Sequence, residues 1–239
     1  MSKDELDIPG NEDDLYLARG EEVSPARPLL LGDVLIDIAL PGLDDEPGPV
    51  MILAHPCTMR RGTELRERIV VSRVSARQSF PFQKWASGWF DLMPLPGLPL
   101  DIPVKGQQYA ADFTELSTVS SAELLRAKRI ACLSETGITL LLQRHTHHLS
   151  RAVIDLPTFY QSISGVLTEA ELEQDWVEGL VPGIWDNPDP DQLANASKAF
   201  HEFLGPPGSD LREKLKQVRT QAEVRRTVRE EIRARRQQA

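Results

Sequence analysis

The densest group of reactive side chains in the sequence is the loop His55-Pro56-Cys57-Thr58-Met59-Arg60-Arg61-Gly62. It directly follows the apolar stretch 50–54, which has the length of a buried strand, and loops at strand ends often carry functional residues. Positive charge beside Cys57 would favour its thiolate, and His55 would serve as the base, so the two form a minimal nucleophilic pair. A free cysteine is more often a buried, inert thiol. His55 and Cys57 are therefore the candidates for catalysis, and the sequence identifies no third member.

The same loop opens a stretch that is rich in arginine. Guanidinium groups bind phosphate oxygens through paired hydrogen bonds, so a local excess of arginine is typical of a phosphate or nucleic-acid site. Neighbouring acidic residues offer the alternative that this charge is neutralised within the protein. The predicted phosphate-binding or nucleic-acid-binding residues are Arg60, Arg61, Arg66 and Arg68.

Three histidines, His145, His147 and His148, form the remaining cluster of metal-ligand types. On a helix only His145 and His148 approach one face, and the His-Glu-x-x-His pattern of zinc peptidases is absent. We expect Arg144, His147 and Arg151 on the polar face, and we predict no metal ion and no other cofactor. The chain also lacks the glycine-rich phosphate loop, the dinucleotide-binding glycine triplet, the nucleophile elbow and the kinase motifs. Common nucleotide enzymes are disfavoured, and the sequence leaves open whether the protein is an enzyme.

Short β-branched and apolar runs predict the elements that position the reactive loop. They lie at residues 28–40, 50–54 and 68–74, with weaker candidates at 109–113 and 128–133. About five short strands predict a small β-barrel or a rolled antiparallel sheet over residues 27–133. Five prolines interrupt the pattern between positions 80 and 103. Because such spacing forbids a central strand, this segment is predicted to be a cover over the barrel or a recognition loop.

The second half of the sequence changes to helical spacing, so residues 134–204 are predicted to be a helical part. Helix starts are indicated by Ser134, by Thr168 with its capping partner, and by Asp189. Residues 209–239 carry ten bases and five acids, which predicts a projecting, basic, amphipathic terminal helix. Its apolar seam is the predicted partner-binding face: Leu211, Leu215, Val218 and Ala222.

Charge and cysteine content bound the setting of the protein. The net charge is −9, and residues 1–22 carry eight acids against two bases, which predicts an acidic disordered tail over residues 1–26. Two cysteines are too few for a disulfide framework. The start of the sequence is charged rather than apolar, and no stretch approaches the ~18 apolar residues of a spanning helix. We expect a cytoplasmic protein that does not contact membranes.

Residues 31–74 resemble the opening of the MazF/PemK-type toxin barrels. The resemblance rests on Gly32-Asp33-Val34-Leu35-Ile36-Asp37, on Pro49-Val50-Met51-Ile52-Leu53, and on a basic loop before Ile69-Val70-Val71. It implies a small barrel with sequence-selective endoribonuclease activity. In that family an arginine immediately before the second-strand proline belongs to the active site, whereas this chain has Gly48 there. Arg60 or Arg61 would have to supply the charge from a different position, and we carry over no catalytic residue.

The stretch from Val50 through the proline-rich segment also broadly resembles uncharacterised bacterial proteins that carry a Ser-x-x-Cys-Asp element there, which implies no function. We therefore expect an α+β protein that binds nucleic acid, with RNA favoured over DNA, and that is a degenerate MazF/PemK-like endoribonuclease in one form of the hypothesis. The alternative is a non-enzymatic accessory or interaction module of a bacterial toxin–antitoxin or phage-defence system, which binds a protein through the C-terminal helix. Homo-oligomerisation is left open.

Overall fold

The computed structural model describes residues 5–61, 64–79, 81–101, 105–186 and 188–238. It confirms the predicted α+β class, with an antiparallel sheet and with helices that lie mostly in the C-terminal half. The described residues form two compact units. The sheet unit lies within Met1–Val23, Leu29–Met59 and Leu65–Tyr160, and the helical unit within Ser24–Pro28, Arg60–Glu64 and Gln161–Ala239.

Among the described residues seven strands form the main sheet, in the order β1-β9-β2-β3-β6-β8-β7. Strands β4 and β5 form a separate two-stranded ribbon. The strands are β1 (Tyr16–Arg19), β2 (Val34–Leu40), β3 (Asp44–Ile52), β4 (Arg60–Arg61), β5 (Glu64–Leu65), β6 (Arg68–Gln78), β7 (Leu92–Leu95), β8 (Gln107–Ser120) and β9 (Arg129–Leu133).

Strands β1 and β7 are the edges of the sheet, so over the described residues the sheet is open rather than a closed barrel. One face of β2, β3, β6 and β8 carries an apolar cluster that includes Leu35, Val50, Ile52, Val71 and Val119, all at most 1% exposed. Burial of these branched side chains is the main stabilising contribution to the sheet. The edge position of β7 suits its proline, because proline cannot donate a ladder hydrogen bond.

The acidic N-terminal segment, predicted to be a disordered tail over residues 1–26, is part of the sheet unit over residues 5–23. A single 3-10 turn, Glu12–Leu15, leads into β1, which pairs antiparallel with β9. Leu6 and Leu15 are at most 3% exposed. These two buried apolar side chains anchor the segment. The prediction of disorder failed because it relied on the excess of acidic residues alone.

Helix α1 (Pro56–Met59) follows β3, and α2 (Ser121–Arg126) joins β8 to β9. Helix α3 (Glu135–Ser150) begins at the predicted cap Ser134, whose hydroxyl accepts from the Gly137 amide. It was predicted within the helical part at 134–204, but it belongs to the sheet unit. The placement of Arg144 and His147 on its polar face was also wrong, because both are buried.

Arg144 holds the proline-rich segment in place. Its guanidinium donates to the carbonyl oxygens of Trp85 (2.8 Å), Gly88 (3.1 Å), Trp89 (2.5 Å) and Leu92 (2.8 Å). Burial lowers the pKa of Arg144 to about 10, and the charge of a nearby aspartate opposes that shift. Arg144 therefore stays charged at neutral pH, and its donors satisfy carbonyls that an irregular segment would otherwise leave unpaired.

The helical unit contains most of α4 (Leu156–Leu180) together with α5 (Pro190–Leu204), α6 (Asp210–Leu215) and α7 (Val218–Gln238). Trp176 and Phe200 lie at the centre of its core, with ring centroids 5.8 Å apart. The single terminal helix predicted over 209–239 is two helices, and Val224 and Val228 of α7 are fully buried in this core. No helix in the described part of the chain is long and apolar enough to span a membrane.

Candidate functional site

Three alternate residues of β6, Arg73, Ser75 and Arg77, continue the sheet face that carries the apolar cluster. The register pairs Val50 with Arg73, two positions from the pair Ile52 and Val71, and side chains two apart on a strand share a face. The face therefore changes along β6 from aliphatic to basic. There it lines an open cavity of about 450 Å³. We call its lining, Leu43, Arg73, Ser75, Arg77 and Glu115, the arginine groove.

An irregularity in the pairing of β6 with β8 supplies the acidic side of the arginine groove. Ser72 pairs with Leu116 but Val74 pairs with Ala111, so residues 112–115 lie opposite Arg73 alone. Such bulges change the direction of side chains next to functional sites. Here the bulge brings Asp112 and Glu115 to the two arginines.

Glu115 bridges both arginines of the groove. Its carboxylate lies 3.3 Å from Nε of Arg73 and 3.2 Å from Nη2 of Arg77. Arg77 also pairs with Asp112 at 2.7 Å, and Asp112 is fixed by the Thr114 amide (2.9 Å) and hydroxyl (2.6 Å). The arginine groove therefore contains two guanidinium groups whose charge is balanced by carboxylates within the protein.

Gly48 lies directly beside this cluster. A Cβ atom built on Gly48 would be 3.5 Å from Nη1 of Arg73. Gly48 itself has no side chain, and the guanidinium of Arg73 reaches the space beside it from the neighbouring strand β6. Across the groove, the Ser117 hydroxyl donates to the Pro41 carbonyl (2.9 Å), which fixes the β2–β3 turn that carries Leu43.

The chemistry available in the arginine groove is anion binding. Two guanidinium groups on one strand face can hold a phosphate or carboxylate group through paired, charge-assisted hydrogen bonds. Glu115 occupies the same donors, so an incoming anion has to displace it. A displaced carboxylate beside a bound phosphate is also placed to accept a proton.

The predicted catalytic pair is arranged differently from a nucleophile and its base. Nδ1 of His55 accepts from the Cys57 backbone amide at 3.3 Å, and burial lowers the pKa of His55 below its ordinary value. The ring is therefore neutral at pH 7 with its proton on Nε2. Cys57 is exposed, and the described residues show no hydrogen bond between its thiol and the imidazole. A catalytic role for the pair stays a prediction.

The four arginines of the predicted basic patch fall in different units. Arg66 and Arg68 are exposed residues of the sheet unit, and Arg68 donates to the Thr118 carbonyl at 3.3 Å. Arg60 belongs to the helical unit. The side chain of Arg61 lies outside the described residues. The phosphate-binding role of this patch stays a prediction.

A buried polar cluster in the helical unit was not predicted from the sequence. His201 of α5 lies 3.3 Å from Glu173 and 3.6 Å from Glu169 of α4, and Arg212 of α6 pairs with Glu169 at 2.7 Å. The Ser197 hydroxyl donates to Glu173. The cluster joins three helices at the centre of the unit.

Burial alone would raise the pKa of Glu173, but hydrogen bonding and charge from His201 lower it, with help from the Ser197 hydroxyl and the charge of Arg60. Glu173 is therefore ionised at neutral pH and holds its partners electrostatically. The four-residue spacing of Glu169 with Glu173, and of Ser197 with His201, would have signalled two polar helix faces. The sequence carried no sign that those faces meet.

The three histidines of α3 pack against aromatic rings. His147 packs against Phe90 in a tilted arrangement, with ring centroids 4.5 Å apart, and His145 packs against Phe113 in the same way at 5.1 Å. His148 also lies near Phe113, at 5.8 Å. Among the described residues no three histidine, cysteine, aspartate or glutamate side chains converge as a metal site.

The predicted partner-binding residues of the terminal region do not share one exposed face. Leu215 is 2% exposed and belongs to the core of the helical unit, and Leu211 packs against that core. Val218 is 49% exposed, and Ala222 is also exposed. Only the latter two are accessible on the unit that carries them.

Comparison with protein-family models gives no match to this chain, and neither does comparison with the sequences of curated proteins.

Proposed function

We propose that the protein binds single-stranded RNA and that the arginine groove is its phosphate-binding site. The observation that carries the proposal is the position of Arg73, whose guanidinium reaches the space beside Gly48. The MazF/PemK-type barrels, which residues 31–74 resemble, carry an active-site arginine at the position of Gly48. In our proposal Arg73 of β6 supplies the positive charge that β3 lacks there.

The ion pairs of the groove support reversible binding rather than a purely structural role. Arg77 and Glu115 are 37% and 35% exposed at their side chains, so water and ligand reach both. Such an exposed ion pair contributes little to stability, about 0–1 kcal/mol. The pair of Glu115 with Arg73 is less accessible, because the Arg73 side chain is 15% exposed. A phosphate that displaces Glu115 gains two guanidinium contacts in exchange.

We include catalysis in this proposal, as a second form in which the protein is a degenerate MazF/PemK-like endoribonuclease. A displaced Glu115 would lie beside the bound phosphate, where a general base for strand cleavage has to be. Retention and cleavage of RNA are therefore scored in one experiment. Binding without cleavage supports an RNA-binding protein, and cleavage that Glu115→Gln abolishes supports an endoribonuclease.

The experiment measures binding of a fluorescein-labelled 20-nucleotide RNA by anisotropy between 50 and 200 mM salt. We expect Arg73→Ala/Arg77→Ala to weaken binding at least tenfold and to reduce the slope of log K against log salt by about 1.4, because each single-strand phosphate contact contributes about 0.7. The same DNA sequence is the second probe.

Arg66→Ala/Arg68→Ala is the matched control, because it removes the same two charges from the same part of the sequence. Equal binding by wild type and the Arg73/Arg77 variant contradicts the groove proposal. A loss confined to the control assigns binding to the sequence-predicted patch instead. If wild type binds neither RNA nor DNA at 50 mM salt, the alternative of a protein-interaction module takes its place.

The setting we propose is the cytoplasm, without contact to membranes. Cys57 and Cys132 are both free thiols, which suits a reducing compartment. Homo-oligomerisation would be tested in the same preparation by light scattering.

A further inference from the structure

Helix α7 carries two sets of arginines with different partners. The first set faces α4, where Arg225 pairs with Glu171 at 2.6 Å and Arg229 with Asp175 at 3.5 Å. Arg235 belongs to the same side and lies over the Trp176 ring, 4.7 Å from its centroid. Arg236 donates to the Gly179 carbonyl of α4 and belongs to the first set as well. These four arginines attach α7 to the rest of the helical unit.

The second set is Arg219, Arg226 and Arg233, all exposed. Seven residues separate neighbours, and a helix turns by only about 20° away from whole turns over that interval, so the three share one face. At 1.5 Å per residue they form a row about 21 Å long. We call it the α7 arginine row.

No carboxylate of the described residues forms an ion pair with any member of the α7 arginine row. Arg219 contacts only the Gln217 side chain, at 3.3 Å. Two acidic residues, Glu223 and Glu230, lie beside the row. Glu223 is already paired with Lys214 at 2.7 Å, and Glu230 forms no ion pair with a described residue. The attachment of α7 therefore does not use this row, and its charge is available in solution.

The residues around the row indicate what it can bind. Protein interfaces are built on a buried core of aromatic or large apolar side chains. The positions between the arginines on this face are Ala222, Glu223 and Glu230, none of which supplies such an anchor. Nucleic-acid interfaces are more polar and strongly cationic, and most of their contacts go to phosphate.

We propose that the α7 arginine row is a second phosphate-contact site, which binds the backbone of nucleic acid without base specificity. The inference takes its ligand class from the proposed function but uses residues outside the arginine groove. An extended polyanion fits a row of this length better than a single small anion. The row adds affinity and steepens the salt dependence.

The test uses the full chain and three variants with the labelled 20-nucleotide RNA. Arg219→Gln/Arg226→Gln/Arg233→Gln removes the charge of the row and keeps residues of good helix propensity. We expect at least tenfold weaker binding at 50 mM salt and a salt slope smaller by about 2, from three contacts of about 0.7 each. The variant with lysine at the same positions should keep the wild-type slope, because the contact is electrostatic.

Lys198→Gln/Lys216→Gln is the control for loss of charge elsewhere in the helical unit, since both side chains are more than 60% exposed. An unchanged slope in the glutamine triple variant overturns the inference, as does an equal change in the control. The two proposals can be contradicted independently. RNA binding by Arg73→Ala/Arg77→Ala tests the arginine groove, and RNA binding by the glutamine triple variant tests the α7 arginine row. RNA binding unaffected by the triple variant would leave an acidic protein as the ligand class to test.

Discussion

Replacing Arg144 with leucine removes a buried cation that organises the segment between β6 and β8. The side chain is 2% exposed, and its guanidinium donates to four backbone carbonyls between Trp85 and Leu92. Leucine approximates the aliphatic stem but supplies no donor. The four carbonyls then have to bind water or remain unpaired.

The expected loss follows from these contacts. Each hydrogen bond to a charged group is worth about 1.5–3 kcal/mol, but bonds to one side chain are not additive, and removal of the buried charge recovers part of its desolvation cost. A buried carbonyl that is left without a donor costs about 1–3 kcal/mol, so with partial compensation by water we expect a net loss of about 3–5 kcal/mol for the four carbonyls. For a unit of this size that corresponds to a fall in Tm of roughly 10 °C.

Thermal unfolding followed by circular dichroism and by tryptophan fluorescence tests the role of Arg144. Two of the four tryptophans, Trp85 and Trp89, lie in the segment, so fluorescence also reports its local order. Arg144→Lys should be intermediate, because an ammonium group has three donors but lacks the planar geometry. Arg126→Leu, at an exposed position, is the control. A Tm for Arg144→Leu within 2 °C of wild type would refute the reasoning.

Three further predictions concern the sheet unit. Asp33→Asn should cost about 3–5 kcal/mol in urea unfolding, because Asp33 is 1% exposed and pairs with Arg129 at 3.0 Å, which would be left buried and uncompensated; a loss below 1 kcal/mol would contradict this. Gly137→Ala should cost about 3 kcal/mol, because the added Cβ would lie 2.2 Å from the Leu15 carbonyl oxygen; wild-type stability would show that the 3-10 turn Glu12–Leu15 moves away from α3 at little cost. Burial and a neighbouring imidazole lower the pKa of His145, so below about pH 6.5 the unfolded chain takes up a proton that the folded chain does not. Stability should therefore fall from pH 7 to pH 5, and less so in His145→Gln; an identical pH dependence in that variant would contradict the assignment.

The sequence predicts the strands and helices better than their grouping. Apolar and β-branched runs located β2, β3 and β6, and capping signals located the starts of α3 and α5, because these are local properties. The capping signal at Thr168 was wrong, because Thr168 lies inside α4. The assignment of α3 to the sheet unit was missed because it depends on long-range contacts, such as Gly137 against Leu15. The order of the N-terminal segment was missed because two buried leucines outweigh its acidic composition.

Little of the candidate site was predicted from the sequence. Arg73 lies in the predicted strand 68–74, but Ser75 and Arg77 lie beyond its predicted end, and the alternation that places all three on one face became evident only because β6 continues to Gln78. Glu115 and Asp112 could not be assigned to them, because the pairing irregularity in β8 that brings them there is set by tertiary structure. Proximity in sequence favoured Arg60 and Arg61, whereas the sheet brings Arg73 to Gly48 across strands.

The most direct test of the arginine groove as a phosphate site is the RNA affinity of Glu115→Gln. Glu115 pairs with both arginines, so removing its charge removes the carboxylate that competes with phosphate for both guanidinium groups, while Arg77 keeps its pair with Asp112. The account predicts RNA binding about three- to tenfold tighter than wild type at 100 mM salt, with a steeper salt slope. Glu67→Gln, which removes an exposed charge from the same unit, should change affinity far less. Weaker or unchanged binding by Glu115→Gln, or an equal gain in Glu67→Gln, would contradict the assignment of the groove as the phosphate site.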